Sequence, residues 1–227
     1  MTKGKFIVFE GLDGSGKGTQ VEKLAGWFRE QGEKVYVTAE PQHEAEIGKY
    51  IRQMMRGEKE MKDPATMAAL FLADRLDHCI NPEYGVKKYL DEGYIVISDR
   101  YYYSNIAYQG KDVYPGWIIQ MNLDAPGMLH PDVTIFLDVG PTEAFNRVHD
   151  RGEKIEVYES NEDVMLKTRA QFYEAFNALN MPVNKEKSPA NIHFIDGSKD
   201  PLKVFAMIRD IFIEPKVCGC CGQELPK

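Results

Sequence analysis

One run of nine residues constrains this chain more than any other feature. Gly11-Leu12-Asp13-Gly14-Ser15-Gly16-Lys17-Gly18-Thr19 follows the apolar stretch FIVFE and opens a helical pattern that runs to about Gln31, where Gly32 ends it. A strand that turns through several glycines into a helix can aim backbone N–H groups at phosphate oxygens. The helix N-terminus adds partial positive charge. Lys17, expected to face solvent from this loop, brings a full charge to the bridge between the β- and γ-phosphates of a bound nucleotide. The pattern predicts Gly11, Gly14, Ser15, Gly16, Lys17, Gly18 and Thr19 as ATP-binding residues. The residue after Lys17 is Gly18 rather than Ser or Thr, so the usual hydroxyl ligand for Mg2+ is missing there. Thr19 is next and is placed to bond the α-phosphate. Mg2+ is then expected to be held mostly by the nucleotide and water, which suits its reluctance to dehydrate.

Such a loop belongs on a parallel sheet, and the rest of the chain agrees. Short apolar runs alternate with longer helical patterns, without internal repeats. Strands are expected at Phe6–Glu10, Val35–Thr38, Tyr94–Ser98, Val133–Leu137 and Ile192–Ile195. FIVFE, YIVIS and VTIFL are nearly continuous apolar runs, as central strands buried on both faces require. Helices are expected at about Glu46–Arg56, Pro64–Cys79, Pro82–Glu92, Gly116–Leu123, Thr142–Asp150, Asn161–Leu179 and Pro201–Ile213, with Asn161 and Asp200 as N-caps. Arg151–Ser160 is charged and without clear period, and reads as a mobile segment. The expected fold is α/β: a P-loop kinase fold with a five-stranded parallel sheet, helices on both faces and a short lid.

A second motif bears on chemistry. YIVIS ends in Asp99-Arg100-Tyr101. An acid delivered at the C-terminal end of a strand beside the glycine loop is placed to orient water on magnesium. Arg100 can grip a phosphate with two parallel N–H groups. The formal net charge of −7 argues against a partner such as DNA or RNA, yet leaves room for a small phosphate ligand in a local basic pocket. No stretch approaches the roughly 20 apolar residues of a membrane span. The N-terminus enters a strand directly and leaves no room for a signal peptide, so residence in the cytoplasm is expected.

FEGLDGSGKGTQ, LFLADR (Leu70–Arg75), SDRYYYSNIAYQG (Ser98–Gly110), PDVTIFLDV (Pro131–Val139) and IDGS (Ile195–Ser198) resemble thymidylate kinases in order and spacing, up to about Ile213. The resemblance implies transfer of the γ-phosphate of ATP to dTMP, with Mg2+, in a homodimer. It implies Phe71 against the thymine face and Arg75, one helical turn on and on the same face, at the base edge. Asp13 would contact the acceptor sugar 3′-hydroxyl or magnesium-bound water, and Arg100 the acceptor phosphate. Asn105 and Tyr108 would line the base and sugar pocket, Tyr108 disfavouring a ribose. The family carries an arginine in or just after a strand-end motif of the form REP or PER. Thr38-Ala39-Glu40-Pro41-Gln42-His43 has none, so that contact is either lost or taken over by His43.

Phosphoryl transfer needs a cation at the moving group. The glycine loop supplies none beyond Lys17, because Gly14 and Ser15 stand where some thymidylate kinases carry an arginine. The lid, at about residues 147–160, offers Arg147, Arg151 and Lys154. Arg151 is the first choice because Gly152 beside it permits a hinge, and Arg147 is expected on the ATP side. Lys17, Arg100, Asp13 and Arg151 form the expected catalytic set. The kinase domain is expected to cover 1–213, leaving a cysteine-rich tail at 214–227 in which Cys218 and Cys221 have the spacing of a zinc knuckle. Competing readings are a kinase for another (deoxy)nucleoside monophosphate or a deoxynucleoside, and a P-loop ATPase or nucleotide switch.

Overall fold

A computed structural model describes residues 4–152, 156–159, 161–179 and 191–213. The five expected strands are present, most one residue longer than expected: β1 Lys5–Glu10, β2 Val35–Ala39, β3 Ile95–Asp99, β4 Val133–Asp138 and β5 Ile192–Asp196. They form one sheet in the order β2-β3-β1-β4-β5, and all four pairings are parallel. The strand order reverses at β1, which lies between β3 and β4. In an open parallel sheet the crevice beyond that reversal is where ligands bind. The glycine loop leaves the sheet there.

Nine helices among the described residues cover the two faces: α1 Lys17–Glu30, α2 Glu46–Met55, α3 Pro64–Ile80, α4 Val86–Asp91, α5 Tyr102–Gln109, α6 Pro115–Leu123, α7 Pro141–Asp150, α8 Glu162–Leu179 and α9 Pro201–Arg209. The alternation of side chains along β1 divides the core. Ile7 and Phe9 face Val21, Leu24 and Phe28 of α1 and Val204 and Ile208 of α9. Phe6 and Val8 face the other layer, where Ile106 of α5 and Phe172 and Phe176 of α8 pack with Phe136 of β4. Both faces of the central strands are thus buried, which is why their sequences lack polar alternation.

Asp200 caps α9 as expected, accepting from the Leu202 and Lys203 amides, and the Asn161 side chain accepts from the Asp163 amide at the start of α8. Three expectations need correction, one being the helix expected over Pro201–Ile213, which ends at Arg209. The helix expected from Pro82 begins only at Val86 and stops at Asp91. The helix α5 was not expected at all. Every residue of α5 is buried, so it has no amphipathic period to read. Its N-terminal cap is also non-local: the Glu10 carboxylate of β1 accepts from the backbone N–H of Tyr101 at 2.9 Å and of Ser104 at 3.2 Å. In Arg151–Ser160, Val157–Glu159 forms a short 3₁₀ turn. Lys154 and the cysteine tail lie outside the described residues.

Candidate active site

The glycine loop leaves β1 through backbone that only glycine adopts readily. Gly11, Gly14 and Gly16 have φ of 145°, 81° and 90°. Gly14 is also pressed against α7: a Cβ there would lie 2.2 Å from the Ala144 carbonyl oxygen. Lys17, expected to project into solvent, is instead the buried first residue of α1. Its Nζ donates to the carbonyls of Gly11 at 3.1 Å and Leu12 at 2.9 Å. Burial, then Arg100, pulls its pKa down. The Ser15 hydroxyl is buried without a hydrogen-bond partner among the described residues.

Arg100 follows β3 directly and has φ 76°, the only non-glycine positive φ among the described residues. Side chains resist that conformation, so the surroundings must hold it. One guanidinium nitrogen donates to the Gly11 carbonyl at 3.0 Å and the Ser104 hydroxyl at 2.8 Å. The other donates to Asp13 of the glycine loop and to the Tyr108 hydroxyl at 3.2 Å. Tyr108 in turn donates to Asp13 at 2.9 Å. Burial raises the Asp13 pKa, but Arg100, Lys17 and Tyr108 outweigh it and hold it at about 2. Glu10 secures the turn from beneath, accepting from the Ser104 hydroxyl as well as the Tyr101 and Ser104 amides. Burial, partly offset by Ser104 and Arg100, pushes its pKa up to about 7. Beside Arg100, Asp99 keeps one buried carboxylate oxygen without a partner among the described residues.

A cavity of about 560 Å³ opens beyond these residues. Phe71, Arg75, Arg100, Asn105 and Tyr108 all line it, as do Asp13, Lys17 and Asp99, so the structure brings the expected acceptor set together. Arg75 shares a helix face with Phe71 as the i, i+4 spacing requires, yet it is itself nearly fully buried and ion-paired to Glu40 at 2.7 Å. Glu40 also meets His78 at 2.9 Å. The Arg75 Nη1 donates to Asn122 at 2.6 Å and to Asn105 at 3.4 Å.

Some residues of the site escaped the sequence reading. The Thr38–His43 segment has no arginine, but Arg52 of α2 lies against it, donating to the carbonyls of Pro41 and Gln42 and meeting His43 at 3.1 Å. Arg52 and His43 both line the cavity. Burial, then Arg52 and Arg56, pushes the His43 pKa below its ordinary value, so the imidazole is neutral at pH 7 and the local cation is Arg52. The spacing of α2 could have signalled Arg52, because it faces inward one residue after the buried Ile51. Glu10, Glu40 and Gln109 gave no such signal, since their roles depend on contacts across the fold.

A second cavity, about 320 Å³, lies on the far side of the glycine loop and is lined by Ser15, Arg147, Gly197, Lys199 and Pro201 among others. Arg147 is fixed there by the carbonyls of Gly14 and Gly197 and by Glu143. Gly14, Gly16, Thr19 and Arg151 line both cavities. Arg151 caps α7, and Gly152 with φ 67° ends the helix after it. Gly18 is exposed and lines the larger cavity, whereas Gly11 lines neither and contributes its carbonyl to Lys17 and Arg100. No group of three His, Cys, Asp or Glu able to hold a metal occurs among the described residues. No helix among them is long and apolar enough to cross a membrane.

This geometry agrees with the relatives of the chain. The thymidylate kinase family profile matches residues 9–193. A probable thymidylate kinase of Thermococcus gammatolerans is 36% identical over 84% of this chain and 92% of its own length. A thymidylate kinase of Caldicellulosiruptor saccharolyticus is 37% identical over 81% of this chain and 88% of its own. One of Pyrococcus horikoshii, described as probable, is 42% identical over 66% of this chain and 72% of its own. The matched span runs from the end of β1 into β5 and so carries the glycine loop, the Arg100 turn and every residue lining the larger cavity; the chain belongs to the thymidylate kinase family.

Proposed function

We propose that this chain transfers the terminal phosphate of ATP to dTMP, giving ADP and dTDP. The acceptor occupies the larger cavity, with thymine against Phe71, its edge toward Arg75 and Asn105, and its sugar beside Asp13 and Tyr108. Its phosphate meets Arg100, with Arg52 as a second cation. The ATP phosphates lie on the glycine loop with Lys17, and the rest of ATP extends past Arg147 into the second cavity. Arg151 stands at the seam and supplies the cation for the moving group. The attacking atom is a phosphate oxygen already ionised at neutral pH, so no general base is needed, and catalysis is positioning and charge neutralisation. The unpartnered oxygen of Asp99 fits a role in holding Mg2+ through water, as the absence of a hydroxyl at Gly18 demands. Bound Mg2+ would neutralise charge on the ATP phosphates.

The same proposal carries a single kinase domain over 1–213 with its lid at about 147–160, a homodimer in the cytoplasm, and zinc on Cys218 and Cys221 of the tail. The observation that carries the functional reading is the tie between the two halves of the site. Arg100, in a left-handed turn, is bonded to both Gly11 and Asp13 of the phosphate loop while lining the acceptor cavity. A lysine cannot reproduce its two-pronged grip. Arg100→Lys is expected to lower turnover of dTMP by roughly a hundredfold, on the scale of losing one transition-state donor, while calorimetry shows ATP affinity retained. Loss of ATP binding without an acceptor defect would place Arg100 on the donor side.

A further inference from the structure

Asn122 of α6 is fully buried and does not line the cavity, yet it touches two residues that do. Its Oδ1 accepts from Arg75 Nη1 at 2.6 Å, and its Nδ2 donates to Asn105 Oδ1 at 3.1 Å and to the Ile118 carbonyl at 2.8 Å. The orientation of this amide is forced. A guanidinium has only donors and a carbonyl only accepts, so turning the amide over would set donor against donor at Arg75 and acceptor against acceptor at Ile118. Asn105 inherits its orientation: its Oδ1 must face the two donors, so its Nδ2 donates to Gln109 Oε1 at 3.0 Å. Gln109 then has only its Nε2 left to meet the Tyr158 hydroxyl, at 3.1 Å. Glu40 takes the Arg75 Nε, and among the described residues the Arg75 Nη2 keeps no hydrogen bond.

We propose that Asn122 is the positioning residue that sets base specificity. It polarises a chain of side-chain amides so that the cavity wall offers the Arg75 guanidinium as donor and the Gln109 Oε1, which among the described residues accepts only from Asn105, as acceptor. That order suits a base edge with a carbonyl next to an N–H, as in thymine or uracil. It opposes an amino group next to a bare ring nitrogen, as in cytosine. A mismatched buried polar group is costly, so the pattern discriminates strongly. The inference rests on dTMP as acceptor and adds the residue that enforces the choice.

Asn122→Asp keeps the acceptor for Arg75 but removes the donor to the Ile118 carbonyl and the donor to Asn105, whose amide must then turn over. Asn122→Ala removes all three hydrogen bonds and is the substitution least able to disturb a helix. Initial rates with dTMP and dCMP are to be measured for both variants and the parent, with folding checked by thermal melting. In Asn122→Asp the ratio of kcat/KM for dTMP over dCMP is expected to fall tenfold or more, with KM for ATP within about twofold of the parent. Asn122→Ala should lower the ratio several-fold. Folded variants that lose activity equally on both acceptors, with the ratio intact, overturn the proposal. Failure of both variants to fold also overturns it, by assigning Asn122 to stability alone. A parent enzyme that prefers dCMP would refute the choice of acceptor base instead.

Discussion

Arg100 and Glu10 show how a single position is held in an unfavourable state. The positive φ of Arg100 costs on the order of 1–2 kcal/mol. It persists because Glu10, fully buried beneath it, fixes the Tyr101 and Ser104 amides and the Ser104 hydroxyl on which the guanidinium rests. Burial makes Glu10 keep a proton up to about pH 7 in the folded chain, against 4.5 for the ordinary group. Between those values the folded state binds more protons than the unfolded state, so stability falls as pH rises, by about 3 kcal/mol across the window. Asp74, raised to about 6 by burial and Glu40, adds to the fall at the lower end. Asp13 works the other way: its contribution is present above its unfolded value of 3.8 and is lost only as pH falls toward about 2. Glu10→Gln keeps an acceptor for the two amides but cannot titrate. Its urea midpoint should therefore drop much less between pH 5 and 7.5 than that of the parent. Equal slopes in the two proteins would show that Glu10 is ionised throughout.

The elements differ in how openly their sequences declare them. The glycine loop and the five strands were legible, because local chemistry decides them: left-handed glycines, a lysine, and apolar runs buried on both faces. Helix α5 was not, since its cap comes from Glu10, 91 residues before Tyr101, and none of its faces is exposed. The gathering of Phe71, Arg75, Arg100, Asn105 and Tyr108 around one cavity was readable from the family resemblance, but Arg52 was overlooked although the spacing of α2 signals it, and Gln109 became visible only once α5 was placed. Lys17 was placed in solvent because loops usually are exposed; here its amine is folded back onto the loop's own carbonyls. Two glycines of the loop separate its roles. Gly14→Ala would drive a Cβ into α7 at a positive φ, and ATP affinity should fall at least tenfold, with loss of roughly 2 kcal/mol of stability. A Cβ on Gly18 would meet nothing within 4 Å. Gly18→Ser should fold normally and reach half-maximal activity at a lower Mg2+ concentration. An unchanged magnesium dependence would mean that the metal lies out of reach of residue 18.

At the scale of the whole molecule, the sheet gathers three strand ends around one crevice. β1 delivers the glycine loop, β3 delivers Asp99 and Arg100, and β4 leads into α7, whose end carries Arg147 and Arg151. One cavity lies to each side of the loop, and Gly14, Gly16, Thr19 and Arg151 border both. That arrangement suits two nucleotides meeting at their phosphates, and membership of the thymidylate kinase family makes the acceptor dTMP. A chain that only hydrolysed ATP would have no use for a wall of Phe71, Arg75, Asn105 and Gln109. The most direct measurement is ADP release from ATP and Mg2+ in the presence of dTMP, dUMP, dCMP, dGMP, AMP or no acceptor. The account predicts fast release with dTMP, measurable release with dUMP, and little with AMP, dCMP or no acceptor. ADP release that is as fast without an acceptor as with dTMP, or fastest with AMP, would contradict it.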